Sequence, residues 1–243
     1  MIKGRIDENV CKNDFLRLIY NRSLIYSLNI FIIGKGQVGK STAIFYMANR
    51  LKQLRLGIPK NKATWTEWDY KKFTTKTPQK FVKLWDENEN EILAMEEAGE
   101  QMYYMDWTNI MTRVFSSTTS THGMKHNVCF LITPYFDDIV KHAKGRLDYI
   151  GILYARNDTA KTVQMQPRYT RLNWNSFKHD IKPVQKTTFK YNKKFLIEAN
   201  KYTDWLKLYK GNIMSKNRNL VDGYNPSKPY STKNMPRYMR EIL

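Results

Sequence analysis

The chain has 243 residues, enough for one large domain or for a domain with an extension. Its 41 Lys and Arg residues outnumber 22 Asp and Glu residues, and the net charge of +19 favours a polyanionic partner. Two cysteines exclude a disulfide framework and a structural zinc site, so we expect reduced thiols in a cytoplasmic protein. No run of about 18 apolar residues is present, so no membrane span is predicted.

The first two thirds of the chain alternate short apolar runs with amphipathic segments. Residues 1–27 predict a helical lead-in. Strands are predicted at residues 28–33, 63–70, 92–95, 128–132 and 149–154. Between them, helices are predicted after residue 40, from Pro78, over about 107–115 and over 136–143. This alternation predicts an α/β three-layer sandwich with a mainly parallel central sheet.

The last third of the chain has a different pattern. Residues 154–165 predict a hairpin with a polar loop, and clear periodicity ends after Pro167. From residue 181 onward, 14 Lys or Arg residues stand against 4 Asp or Glu residues, and one helix is predicted over 193–209. We therefore predict a main domain over 1–170 and a basic, aromatic C-terminal extension over 171–243.

A glycine-rich motif follows the first predicted strand. Residues 34–41 read G-K-G-Q-V-G-K-S, the G-x-x-x-x-G-K-[ST] pattern of a phosphate-binding loop between a strand and a helix. Backbone N–H groups in such a loop face the phosphates of ATP, the lysine reaches the terminal phosphates, and the serine hydroxyl binds Mg²⁺. The predicted ATP-binding residues are Gly34, Lys35, Gly36, Gln37, Val38, Gly39, Lys40, Ser41 and Thr42.

Two adjacent glutamates end the predicted strand 92–95. In nucleotide hydrolases, an apolar strand beside the loop strand ends in an acid that supports Mg²⁺, and a second acid orients the attacking water. We predict these roles for Glu96 and Glu97, respectively; alternatively, both acids only begin a helix. About 55 residues separate Ser41 from Glu96, which leaves room for an extra strand, as in the additional-strand class of P-loop ATPases.

Three further groups are candidates for the same reaction. Thr133, at the end of the fourth predicted strand, is placed to sense or orient the γ-phosphate, although a Thr-Pro pair also commonly ends a strand. An arginine acting on a neighbouring subunit's nucleotide is sought among Arg113, Arg146 and Arg156. Arg146 is the first choice because it follows the helix after the fourth strand.

The order of these motifs resembles the HerA/FtsK-type ATPases. The similarity runs from about Leu28 to Tyr154 and rests on the loop, on I-L-A-M-E-E-A-G, and on the segment S-T-H-G-M-K-H-N-V-C-F-L-I-T-P. That superfamily contains DNA translocases, conjugation coupling proteins, viral genome-packaging motors and Zot-like proteins. Glu96 departs from the usual Asp of the family, and the family often has Gln or Arg near the position of Thr133.

The resemblance implies a translocase or packaging ATPase that acts on double-stranded DNA. It also implies a homo-oligomeric ring, a hexamer or a pentamer, and capsid or other viral or mobile-element proteins as partners. Lys141, Lys144 and the basic C-terminal segment would contact the DNA phosphates. Two alternatives remain open: a nucleotide-gated DNA-binding or assembly protein with weak hydrolysis, and a P-loop kinase acting on a small acceptor.

Overall fold

The computed structural model describes residues 4–96, 123–133, 147–157, 159, 161–173 and 178–222. Its strands are β1 Leu28–Ile33, β2 Thr74–Thr75, β3 Ile92–Met95, β4 Val128–Thr133, β5 Tyr149–Asn157, β6 Thr162–Asn173, β7 Lys178–Pro183 and β8 Thr187–Lys190. Its α-helices are α1 Asp14–Ser23, α2 Lys40–Leu56, α3 Tyr70–Phe73, α4 Pro78–Glu87 and α5 Lys193–Asp222. No helix within these ranges is long and apolar enough to cross a bilayer.

The described strands form one eight-stranded mixed sheet flanked by helices. Its order is β2-β3-β4-β1-β5-β6-β7, and β8 pairs with β6. Neighbouring strands in the part β2-β3-β4-β1-β5 are parallel. Strand β6 pairs antiparallel with β5, β7 and β8. This confirms the predicted fold class. One detail was wrong: the acid-bearing strand β3 does not adjoin β1, because β4 lies between them and pairs with both.

The parallel strands form the centre of the core. Every residue of β1, β3 and β4 is buried, as expected for strands covered on both faces. Helix α2 is buried on several sides, because an aromatic cluster packs against it in addition to the sheet. Tyr46 on α2 lies 5.4 Å from both Phe189 and Phe195, and Trp65 lies 4.9 Å from Phe195, between ring centroids. The segment around β8 and the start of α5 therefore belongs to this core.

The strand predicted at 63–70 is wrong. In its place the chain forms an irregular connection, in which Trp65 has a φ of 68°. The Glu67 carboxylate accepts hydrogen bonds from the N–H groups of Thr64 and Thr66, at 3.0 and 3.1 Å. These local bonds offer the backbone an alternative to a strand ladder. The strand in this region, β2, comes later and has two residues.

The sheet extends further toward the C-terminus than the sequence pattern indicates. The predicted hairpin is confirmed, with β5 and β6 antiparallel, but β6 continues to Asn173 and two more strands follow. Helix α5 begins at Lys193 as predicted and ends at Asp222, beyond the predicted end at 209. The predicted helices at 107–115 and 136–143 lie outside the described residues.

Compactness divides the chain into two units, Met1–Asn200 and Lys201–Leu243. The first contains the whole described sheet. The described part of the second is the continuation of α5, in which Tyr202 and Trp205 stack with ring centroids 6.4 Å apart. Strand β6 runs through residue 170, and the domain boundary predicted there stays a prediction.

The carboxyl group of Asp148, just before the start of β5, links this strand to β1. Asp148 accepts a hydrogen bond from the Asn29 N–H at 2.8 Å, and its own N–H donates to the Asn29 carbonyl at 3.0 Å. Burial raises the pKa of Asp148 from 3.8 to about 6, although the Asn29 bond and the nearby Arg22 act in the opposite direction. The charged form of Asp148 is therefore disfavoured in the folded protein.

Replacing Asp148 by asparagine is expected to stabilise the protein at pH 7.5 by about 2 kcal/mol. Because the folded pKa exceeds the unfolded one, the carboxyl's contribution to stability is complete below about pH 4 and is lost as the pH rises through about 6. The asparagine keeps an acceptor for Asn29 and removes the charge. Denaturant unfolding should show this gain at pH 7.5 and little difference at pH 4. An equal effect at both pH values would contradict the raised pKa of Asp148. Exposed Asp204→Asn is the control and should not show the gain at pH 7.5.

Candidate nucleotide-binding site

The loop between β1 and α2 has the backbone geometry that a phosphate-binding loop requires. Gly39 caps α2 in the left-handed conformation, with a φ of 89°. At Gly34 a Cβ atom would lie 2.7 Å from the Leu153 carbonyl oxygen, so any side chain there would collide with β5. Gly36 has open space around it, and the neighbouring Gln37 takes the left-handed conformation with a φ of 62°. The loop therefore depends on Gly34 and Gly39 for its path.

Lys40 folds back over this loop. Its Nζ donates hydrogen bonds to the carbonyl oxygens of Gly34, at 2.5 Å, and Lys35, at 3.0 Å. These contacts keep the ammonium at the mouth of the loop, where the N-terminus of α2 adds the positive end of its dipole. A lysine in this position provides a point charge for a phosphate chain.

Ser41 and Glu96 meet although 55 residues separate them in the chain. The Ser41 Oγ donates a hydrogen bond to Glu96 Oε2 at 3.2 Å. Glu96 is 3% exposed, and its N–H donates to the Thr75 carbonyl at 2.9 Å, which fixes the turn after β3. The sheet thus brings the predicted metal-binding serine and the predicted metal-side acid into direct contact.

The Ser41–Glu96 pair fits Mg²⁺ by its chemistry. A hydroxyl and a carboxylate supply the hard oxygen atoms that this ion prefers, usually together with substrate phosphates and water. Among the described residues there is no group of three His, Cys, Asp or Glu side chains that could hold a metal by itself.

Thr133 lies at the same edge of the sheet. It ends β4, is fully buried and is paired in register with Ile33, the last residue before the loop. This position is the one that the sequence predicts for a group near the γ-phosphate. The other predicted residues, Glu97, Arg146 and Arg113, lie outside the described residues.

Arg156 lies against the loop of its own subunit. Its Nη1 donates to the Gln37 carbonyl at 3.4 Å. Of the three arginines considered for a role toward a neighbouring subunit, this one is thus positioned beside its own phosphate loop. Sequence reasoning also missed Lys76, which follows β2 at the carboxyl edge of the sheet and is 2% exposed. A lysine next to a two-residue strand has no apolar periodicity around it that would mark its position.

A larger cavity of about 840 Å³ lies elsewhere in the first unit. It is lined by the N-terminal lead-in and by residues at the C-terminal end of α2, including Arg50 and Leu54. Helix α2 has 17 residues and is roughly 25 Å long, so this cavity is remote from the loop at the helix N-terminus. The loop, and not this larger cavity, is where the chemically suitable groups converge.

Comparisons with known proteins give structural neighbours only. No family model matches the chain, and no curated protein matches it. The chain is similar to the genome packaging NTPase B204 from Sulfolobus turreted icosahedral virus 2 in complex with AMPPCP. The identity is 15% and the TM-score 0.39, over 65% of this chain and 98% of that chain.

Two further solved structures are similar to the chain. For the N-terminal domain of zonular occludens toxin from Neisseria meningitidis, the identity is 15% and the TM-score 0.37, over 69% of this chain and 96% of that one. For the DNA-packaging ATPase B204 from Sulfolobus turreted icosahedral virus, the values are 17% and 0.39, over 67% and 100%. Packaging ATPases and a Zot N-terminal domain are thus among the solved structures to which the chain is similar.

The class of protein follows from the chain's own fold and site. A phosphate loop joins β1 to α2, β4 separates the loop strand from the acid strand, and Ser41 contacts Glu96. Together these features define a P-loop NTPase fold of the additional-strand class.

Proposed function

We propose that the protein is an ATPase that uses ATP hydrolysis to move or package double-stranded DNA. The observation that carries the proposal is the contact between Ser41 and Glu96 beside a correctly shaped phosphate loop. In this arrangement a hydroxyl, a carboxylate and the Lys40 ammonium are set to act on one triphosphate. Bound Mg²⁺ would neutralise charge on the β- and γ-phosphates.

The residues of the chain divide the work of hydrolysis. Lys40 would leave the Gly34 and Lys35 carbonyls and bind the terminal phosphates. Ser41 and Glu96 would supply oxygen atoms to the Mg²⁺ site. Thr133 would contact the γ-phosphate from β4. Glu97 would accept a proton from the attacking water, a role assigned to it because it directly follows Glu96 in the sequence. We further propose that Arg146 acts on a neighbour's nucleotide in a hexameric or pentameric ring.

The charge of the chain supports a DNA partner. The net charge of +19 exceeds what binding one nucleotide requires, and it suits phosphate contacts that do not depend on sequence. Exposed lysines occur in the described part of the proposed basic extension, at Lys186, Lys190, Lys194, Lys201 and Lys207. A cytoplasmic protein that meets capsid or other viral or mobile-element proteins is consistent with this composition.

The proposal predicts that double-stranded DNA stimulates ATP hydrolysis. Steady-state ATPase rates should be measured with and without duplex DNA, at low and at high salt, because phosphate contacts weaken as salt rises. We expect a DNA-dependent increase at low salt that is lost in Glu97→Gln. A rate indifferent to both DNA and this substitution would reject the proposal. Slow turnover combined with tight, ATP-dependent DNA binding would instead identify a nucleotide-gated binding protein.

A further inference from the structure

A small cavity, lined by both polar and apolar residues, lies beside the phosphate loop. Its volume is about 230 Å³, below the roughly 300–1,000 Å³ typical of pockets that enclose a whole ligand. Its lining includes two loop-side residues, Gly39 and Thr42, and side chains that can bond to hydroxyl and ring atoms, namely Arg156, Asn157, Tyr191 and Asn200. A cavity of this size, continuous with the loop, suits one part of a nucleotide.

The hairpin that forms this cavity is placed by the register of the sheet. Ile152 on β5 pairs with Ile33, the last residue of β1. The five residues after Ile152 therefore extend β5 beyond the end of β1, by roughly 16 Å. A bulge between Leu153 and Ala155 disrupts the pairing there, and bulges bend a strand and re-aim its side chains. The end of the hairpin thus reaches the loop.

The cavity and the acid strand lie on opposite sides of the loop strand. In the sheet, β4 and β3 follow on one side of β1, and β5 and β6 follow on the other. Glu96 marks the first side as the place of the metal and the γ-phosphate. A triphosphate that runs along the loop from Glu96 therefore directs its α-phosphate, and the nucleoside attached to it, toward the β5–β6 hairpin.

Contacts between the β5–β6 hairpin and the phosphate loop show that the two pack closely. A Cβ atom at Gly39 would lie 3.3 Å from the Val163 side chain and 3.8 Å from Cδ of Arg156. Arg156 also donates to the Gln37 carbonyl at 3.4 Å. The guanidinium is exposed on the side of the loop away from Glu96, where it can meet the oxygen atoms of a ribose or an α-phosphate.

Tyr191 provides an independent observation. The side chain is 7% exposed and lines the cavity, and its hydroxyl has no hydrogen-bond partner within the described part of the chain. An unsatisfied buried hydroxyl carries a cost that a bound polar ligand would relieve. Its ring is held by stacking on Phe195, with centroids 4.7 Å apart, so the side chain keeps a fixed position beside the cavity.

We infer that this cavity binds the nucleoside part of the nucleoside triphosphate, with Arg156 and Tyr191 as its principal contacts. The inference rests on the proposed function, since it assumes that the loop binds the phosphates. It assigns to Arg156 a role toward its own subunit's nucleotide, in place of a role in trans. The ligand class is a ribonucleoside or deoxyribonucleoside joined to a phosphate chain.

The test compares ATP with inorganic tripolyphosphate, which has the phosphates but lacks the nucleoside. Binding of both probes should be measured by calorimetry for the wild type, Arg156→Ala and Tyr191→Phe. We expect ATP affinity to fall roughly 10-fold in Arg156→Ala and about fivefold in Tyr191→Phe. Tripolyphosphate affinity should stay within about twofold of the wild type in Tyr191→Phe.

Two exposed residues of the same sheet provide matched control substitutions. Exposed Arg168→Ala and Tyr154→Phe should leave both affinities unchanged, and thermal unfolding should show Tyr191→Phe to be at least as stable as the wild type. Unchanged ATP affinity in both cavity variants would overturn this inference alone. A wild-type protein that binds neither probe would overturn the proposed function and this inference together.

Discussion

Replacing Lys40 by alanine should lower the ATPase rate by roughly 100-fold or more. The side chain lies over the loop with its ammonium bonded to two loop carbonyls, in the place where a triphosphate would bind. Its removal takes away the charge that the terminal phosphates need, and no other part of the described loop except Lys35 carries one. Binding of a fluorescent ATP analogue and steady-state hydrolysis measure the two consequences separately.

Exposed Lys62 provides the matched control for this variant. Lys62→Ala removes the same charge from a surface turn and should retain wild-type binding and hydrolysis. Circular dichroism and thermal unfolding should show both variants folded, because Lys40 is not part of the apolar core. Wild-type hydrolysis in Lys40→Ala would mean that the loop is not the site of the reaction.

The two adjacent glutamates should respond differently to the same substitution. Glu97→Gln removes the proposed general base and should lower the hydrolysis rate by roughly 100- to 10,000-fold while ATP still binds. Glu96→Gln weakens the carboxylate that faces Ser41, so it should raise the Mg²⁺ concentration needed for half-maximal ATP binding. ATP binding titrated with Mg²⁺, alongside single-turnover hydrolysis, separates the two roles.

Glu89, which is exposed, provides the control for both glutamates. Glu89→Gln should leave the Mg²⁺ titration and the hydrolysis rate unchanged. If Glu96→Gln and Glu97→Gln both behaved like this control, the acids would only shape the turn after β3, in keeping with the alternative that they merely begin a helix.

The parts of the fold that the sequence predicted well are those with strong local signals. β1, β3 and β4 are short apolar runs buried on both faces, and their predicted ranges agree with the structure to within one residue. The loop is fixed by its glycines and by Lys40. The meeting of Ser41 and Glu96 was predicted from the motif. The acid strand was wrongly predicted to lie beside β1, whereas β4 lies between them, because periodicity does not reveal which strands pair.

Other parts could not be predicted because their structure depends on distant contacts. The irregular segment around Trp65 has local hydrogen bonds to Glu67, but the Trp65 ring also packs against Tyr46 and against Phe195, which lies far along the chain. Strands β7 and β8 carry mixed polar residues and are held by pairing with β6, so no alternation distinguishes them. The cavity at Arg156 and Tyr191 arises only when β5 extends past β1, which the sequence does not specify.

A structure of the protein with Mg²⁺ and a slowly hydrolysed ATP analogue tests the central claim most directly. We predict the triphosphate in the loop 34–41, the ion at about 2.0–2.1 Å from the Ser41 Oγ, and the Glu96 carboxylate facing that ion. A nucleotide bound at another place, or a Glu96 carboxylate turned away from the phosphates, would contradict this claim.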